Sequence, residues 1–208
     1  MALPATDDFN RADDTTLGPN WSVVGNAFGI ASNKANFQDG AAGTGTQEGL
    51  VRWIADAVGD DQYAQAIVSG FGFLGMLGPA VRVSGVWGSV NANAYFYFGR
   101  NSPDSGGISK FVNNVETQIA TGLSGFVNAD LLRIEAEGTT IRAYKNGVQH
   151  GIDITDASIA SGSFGLYAYT DCPPTGTYED FEGGELGGAG TFNAAWARGA
   201  NVLLQPGL

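Results

Sequence analysis

Asp7-Asp-Phe-Asn-Arg-Ala-Asp-Asp-Thr-Thr-Leu-Gly-Pro-Asn-Trp-Ser-Val-Val24 carries a short aromatic piece into a polar loop and returns the chain to apolar residues at Trp21. Near the other end, Tyr178-Glu-Asp-Phe-Glu182 repeats the acidic-aromatic-acidic pattern of Asp7-Asp-Phe-Asn10. Two similar segments so far apart predict that the first and last strands pair and close one sheet.

Outward from these ends, apolar runs are short, alternate with polar residues and are separated by Gly, Asn, Asp or Ser. Examples are Gln62–Ser69, Ala94–Gly99, Leu131–Glu137, Thr139–Lys145 and Phe164–Tyr169. Strands about ten residues apart, with turn signals between them, predict an all-β, two-sheet antiparallel sandwich. No stretch sustains a helical period over three turns, so any helix is a single turn, with Asp153–Ile159 the candidate. In Leu131–Glu137, Leu132, Ile134 and Ala136 share one face and Arg133, Glu135 and Glu137 the other. Asn146-Gly147 signals a two-residue type I′ hairpin. Ala94-Tyr-Phe-Tyr-Phe-Gly99 puts Tyr95 and Tyr97 on one face and Phe96 and Phe98 on the other; one pair must fill the core. Trp21 and Trp53, among apolar neighbours, are assigned to the core.

The 208 residues fit one domain, large enough to fold without disulfides or metal. The 32 glycines fall at turns without a collagen period. A net charge of −11 argues against nucleic acid, whose phosphates need clustered Lys and Arg. Cys172 is the only cysteine, so no internal disulfide forms. Residues 1–20 show no basic region followed by an apolar run, and no apolar run is long enough to span a bilayer. These features predict synthesis in a reducing cytoplasm and no membrane insertion. Gly183–Gly190 reads as a flexible linker, dividing a sandwich over residues 1–186 from a short extended tail over 187–208. Phe192, Trp196, Arg198, Val202, Leu203 and Leu204 of the tail are expected to anchor on a partner subunit.

Asp7–Asp13 followed by Leu17-Gly-Pro-Asn-Trp21, the Leu131–Gly147 hairpin, Ser161–Tyr167 and Tyr178–Glu182 together resemble concanavalin A-like (laminin-G-like) jelly-roll domains. The opening motif paired with a tail like Trp196–Val202 is similar to virion proteins of tailed bacteriophages. The resemblance implies a non-enzymatic virion structural protein, a capsid decoration or minor tail component. It would sit in a homo-oligomer or larger assembly with other virion proteins and attach weakly to cell-surface glycans. A bacterial carbohydrate-binding module is the alternative, and a glycoside hydrolase the third reading.

A glycosidase needs two carboxylates facing each other across a sugar. Glucanases of this fold present them as Glu-x-Asp-x-x-Glu on one strand, a run missing here, and Glu135-Ala-Glu137 reads as an exposed charged face. His150, the sole histidine, reads as a solvated loop residue. Gly70–Gly75 matches a dinucleotide-binding pattern, but Gly78-Pro79 arrives where a helix would have to start. No cofactor is required. One calcium is the candidate metal, which the resemblance places near the joined termini, with Asp7, Asp8 and Asp180 as ligands. For sugar stacking the candidates are Trp87, set between glycines, and Tyr95, Tyr97 and Tyr144, which would line one sheet face.

Overall fold

The computed structural model describes residues 4–37, 47–71, 75–87, 90–101, 104–170 and 176–187. Among the described residues, sixteen strands form two antiparallel sheets and no helix occurs. Their ranges are β1 Ala5–Asp7, β2 Trp21–Val23, β3 Phe28–Ala31, β4 Lys34–Phe37, β5 Gln47–Trp53, β6 Gln62–Ser69, β7 Met76–Val86 and β8 Val90–Asn101. The rest are β9 Asp104–Val112, β10 Val115–Leu123, β11 Asp130–Glu137, β12 Thr140–Lys145, β13 Val148–Gln149, β14 Ile154–Thr155, β15 Ser163–Thr170 and β16 Thr177–Glu185. One sheet runs β13-β12-β11-β6-β16-β4-β3, with β1 on β16 and β14 on β12. The other runs β10-β9-β8-β7-β15-β5-β2. We call them sheet A and sheet B.

The predicted closure is present: Ala5, Thr6 and Asp7 pair with Gly183, Glu182 and Phe181. Phe9, Trp21, Trp53 and Phe181 pack behind this seam, with Trp21 and Phe181 edge to face at 4.8 Å. Asp7 is the organiser. Its Oδ1 accepts from the Phe9 amide (2.9 Å) and the Arg11 guanidinium (2.6 Å), and its Oδ2 from Arg11 (3.1 Å) and Trp21 Nε1 (2.9 Å). Arg11 also donates to the Leu17 carbonyl.

The β11–β12 hairpin follows the predicted alternation, with Leu132, Ile134 and Ala136 buried. Asn146 (φ 52°) and Gly147 (φ 79°) both take positive φ, as a type I′ turn requires. Between the sheets, Tyr178 on β16 ties A to B: its hydroxyl accepts from the Gly78 amide and donates to the Tyr167 carbonyl. Arg82, a non-glycine at φ 53°, interrupts β7 and is almost wholly buried. Its guanidinium donates to the carbonyls of Asp60, Gly138 and Ile159, binding three loops at one end of the sandwich.

Three expectations are corrected. Asp153–Ile159 is not a helical turn; Ile154–Thr155 pairs with β12 as β14, so that segment completes a sheet edge. The expected linker at Gly183 starts too early, because β16 continues to Glu185 and Gly183 packs against the Phe164 ring. Here glycine marks close packing, not flexibility. His150 is not simply solvated: it is half-buried, with Nδ1 2.6 Å from the Tyr97 hydroxyl. The expected tail anchors Phe192, Trp196, Arg198, Val202, Leu203 and Leu204 lie outside the described residues.

Candidate ligand-binding face

The two faces of β8 decide where the site can be. Tyr95 and Tyr97 point between the sheets and are fully buried, which removes them as an exposed sugar platform. They fit the core because their hydroxyls reach the segment after β13. Tyr95 donates to Asp156 Oδ1 (2.7 Å) and accepts from the Ile159 amide (3.1 Å), while Tyr97 reaches His150. Phe96 and Phe98 have no such need and take the outer face of sheet B. The pattern Tyr-Phe-Tyr-Phe states only that the pairs are opposed; the positions of distant hydrogen-bond partners choose which goes inside. Tyr144 lies on a third surface, half-buried on the outer face of sheet A opposite Arg133. The expectation that Tyr95, Tyr97 and Tyr144 line one face therefore fails.

On the outer face of sheet B, Phe96 of β8 and Tyr167 of β15 stack at 3.9 Å. Between their strands runs β7, which sets the small residues Gly78 and Ala80 opposite Tyr167 and Phe96, so the two rings close over it. Phe111 stacks on Phe96 at 4.9 Å. Trp87, at the tip of the β7–β8 hairpin, meets Phe111 edge-on at 4.9 Å. Its amide donates to the Val24 carbonyl (2.6 Å), beyond the edge strand β2, so the hairpin tip bends across this face. Gly25 makes that approach possible, since a Cβ there would stand 2.6 Å from the Trp87 ring. Trp87 is half-buried and keeps part of its indole at the surface.

Polar groups surround these rings. Strand pairing sets Gln118, Ser109, Phe96, Ala80, Gly165 and Arg52 in one row across the outer face of sheet B. Two buried atoms in that row, Ser109 Oγ and Arg52 Nε, have no hydrogen-bond partner among the described residues. Four residues before Arg52, Glu48 accepts from the Tyr167 hydroxyl at 2.9 Å. Burial, opposed by this bond and reinforced by Glu116, raises the Glu48 carboxyl above the usual range. Sequence reading missed Glu48, Arg52 and Ser109; they become neighbours only through strand pairing.

The outer face of sheet A is built differently. Arg133 lies 3.7 Å over the Tyr63 ring, pairs with Glu135 (2.7 Å) and donates to Gln65 (3.2 Å). Tyr63 donates to Glu182 at 2.6 Å. The cleft beside Arg82, about 610 Å³, is lined by Asp60, Asp61, Arg82, Ile159 and Glu185. Arg82 is engaged there by backbone carbonyls.

The expected calcium set loses Asp7, because both of its oxygens are occupied by Phe9, Arg11 and Trp21 donors. Asp180 sits at φ 49° in β16, and its carboxyl is raised by burial, by Glu179 and by Asp8. Among the described residues, no group of three His, Cys, Asp or Glu side chains is placed to hold a metal ion.

The class of fold is that of galectin-like and concanavalin A-like β-sandwiches. The carbohydrate-binding module CBM66 from Bacillus subtilis matches with a TM-score of 0.61 and 18% identity, over 82% of this chain and 98% of that one. A β-1,3-1,4-glucanase (lichenase) from a mouse hindgut metagenome matches with a TM-score of 0.60 and 9% identity, over 88% and 99%. A xylan β-1,4-xylosidase from Bacillus halodurans matches at 0.60 and 10%, over 89% of this chain and 40% of that one. No protein-family profile matches, and no curated protein is similar in sequence.

Proposed function

We propose that the chain is a non-catalytic carbohydrate-binding sandwich whose ligand lies on the outer face of sheet B. One observation carries the reading: a partly exposed tryptophan beside buried aromatic rings, with two polar atoms of one strand-crossing row left without a hydrogen-bond partner among the described residues. Burying an unpaired polar atom costs about 1–3 kcal/mol, so such atoms persist where something other than stability retains them. Sugars present C–H faces to exposed ring surface such as that of Trp87, and hydroxyls to polar side chains beside it. The likeness to CBM66, a carbohydrate-binding module, supports this use of the fold. On sheet A, Glu135 and Glu182 are already engaged by Arg133 and Tyr63, which favours a non-catalytic reading.

Phage assembly remains a second reading, carried by the resemblance of the opening motif. Deleting residues 191–208 tests it, because an anchoring tail would be required for incorporation into particles and a sugar site on the sandwich would not.

The test of the main reading is affinity electrophoresis of the full chain in gels containing soluble polysaccharide. Trp87→Ala is expected to abolish retardation, while Tyr144→Ala on sheet A leaves it unchanged. The reverse result would refute the assignment. Release of reducing sugar by the wild type would refute the non-catalytic part.

A further inference from the structure

We propose that Tyr97 and His150 form a pH-sensitive latch: a proton taken up at His150 Nδ1 breaks their bond and loosens residues 124–129, the crossover that carries the chain from sheet B to sheet A. The crossover leaves β10 and enters β11, and Phe126 is its anchor. The Phe126 ring is buried against Gly99 and Gly106, where a Cβ on either would overlap it. Tyr97 and His150 pack on the same ring, at 6.0 and 5.4 Å between centroids. Side chains hold the backbone on either side of it. Asp104 accepts from the Gly125 and Phe126 amides, Lys145 donates to the Ser124 and Gly125 carbonyls, and His150 donates to the Ser124 carbonyl.

Burial decides the tautomer. Tyr97 lies in the core, and among the described residues its hydroxyl bonds to His150 Nδ1, at 2.6 Å. If Nδ1 carried a proton, the hydroxyl could only accept, and its own hydrogen would be buried unpaired. The neutral ring therefore accepts at Nδ1 and donates to Ser124. Among the described residues, the titratable groups facing the ring are Tyr97 from β8, Asp104 from β9, Asp130 from β11 and Lys145 from β12. Burial and Lys145 outweigh the two carboxylates and hold His150 below its ordinary value, so the latch favours the neutral ring. Its contribution is present above the ordinary histidine value of about 6.5 and is lost as pH falls below it. The Gly125 and Phe126 amides hold the Asp104 carboxyl below the usual range, so Asp104 stays ionised through that window.

The experiment follows amide hydrogen exchange of the full chain at about pH 7.5 and about pH 5, either side of the ordinary histidine value, with the His150 ring resonances read in parallel. Exchange is expressed as protection relative to the intrinsic rate at each pH. Protection at Gly125, Phe126 and Val127 is expected to fall about tenfold more than at Leu132 and Ile134 of β11, the effect of one buried hydroxyl left unpaired. His150→Gln keeps an acceptor and a donor without a titrating group and is expected to hold the crossover equally at both pH values. Tyr97→Phe removes the hydroxyl that opposes the proton and is expected to raise the His150 pKa toward its ordinary value, a shift that a merely space-filling tyrosine would not produce. A ring that stays neutral at the lower pH would overturn the latch. So would a loss shared equally by β11, or the same loss in His150→Gln.

Discussion

On the outer face of sheet A, Arg133, Glu135, Gln65, Tyr63 and Glu182 bond to one another. On the outer face of sheet B, Arg52 and Ser109 each hide a polar atom with no partner among the described residues, in the strand-crossing row that also holds Phe96. The first face is complete as it stands. The second carries an unpaired polar cost that the first does not, and the proposed site rests on that contrast more than on the count of aromatic residues.

The largest expected effect falls on the frame both faces share. Arg82→Met would strip donors from three backbone carbonyls and cost about 3 kcal/mol or more, read as a lower denaturant midpoint. Intact stability in that variant would mean that the two faces are positioned by something else. Next, Trp87→Ala is expected to weaken glycan binding at least about tenfold, since indole anchors are among the largest single contributors at binding surfaces.

Smaller changes sharpen the comparison because their signs differ between the faces. Ser109→Ala removes an unpaired buried hydroxyl and is expected to stabilise by about 1 kcal/mol, a rise in melting temperature of roughly 2–4 °C. Arg133→Ala removes a ring stack and an ion pair and is expected to destabilise by about 1–2 kcal/mol. Equal signs in thermal melts would erase the distinction.

Acid titration gives the gentlest version. Burial raises Asp156, but Lys110 (2.5 Å), Tyr95 and Ser158 outweigh it and hold the carboxyl well below its usual range. Its contribution is therefore present above about pH 4 and lost as pH falls further. Glu48 has the opposite sign: its raised carboxyl favours the fold below about pH 4, and that benefit is lost as pH rises through its folded-state value. Melting curves against pH should show Asp156→Asn flattening the acid limb, and Glu48→Gln raising stability near neutrality.

Much of the fold was legible in the sequence because it rests on local alternation and turn chemistry. The β11–β12 hairpin, Gln62–Ser69 and the pairing of the two ends appear as read. The site was far less so. Alternation reveals which residues share a face but not which face turns inward, so the tyrosines of β8 were placed outside and the phenylalanines left unassigned. Trp87 was visible through its flanking glycines, whereas Gly25, which receives its ring, lies sixty-two positions earlier. Ser109 and Arg52 share a row only after five strands are set side by side. The acids of the opening motif suggested calcium, yet Asp7 holds Arg11 and Trp21 instead.

Amide chemical-shift mapping of the isotopically labelled chain, titrated with soluble neutral β-glucan or galactomannan, addresses the account most directly. The predicted shifts cluster at Glu48–Arg52, Val86–Trp87 and Ser109–Gln118. Shifts centred on Tyr63–Gln65, Arg133–Glu135 and Tyr144 would instead place the ligand on sheet A and contradict it.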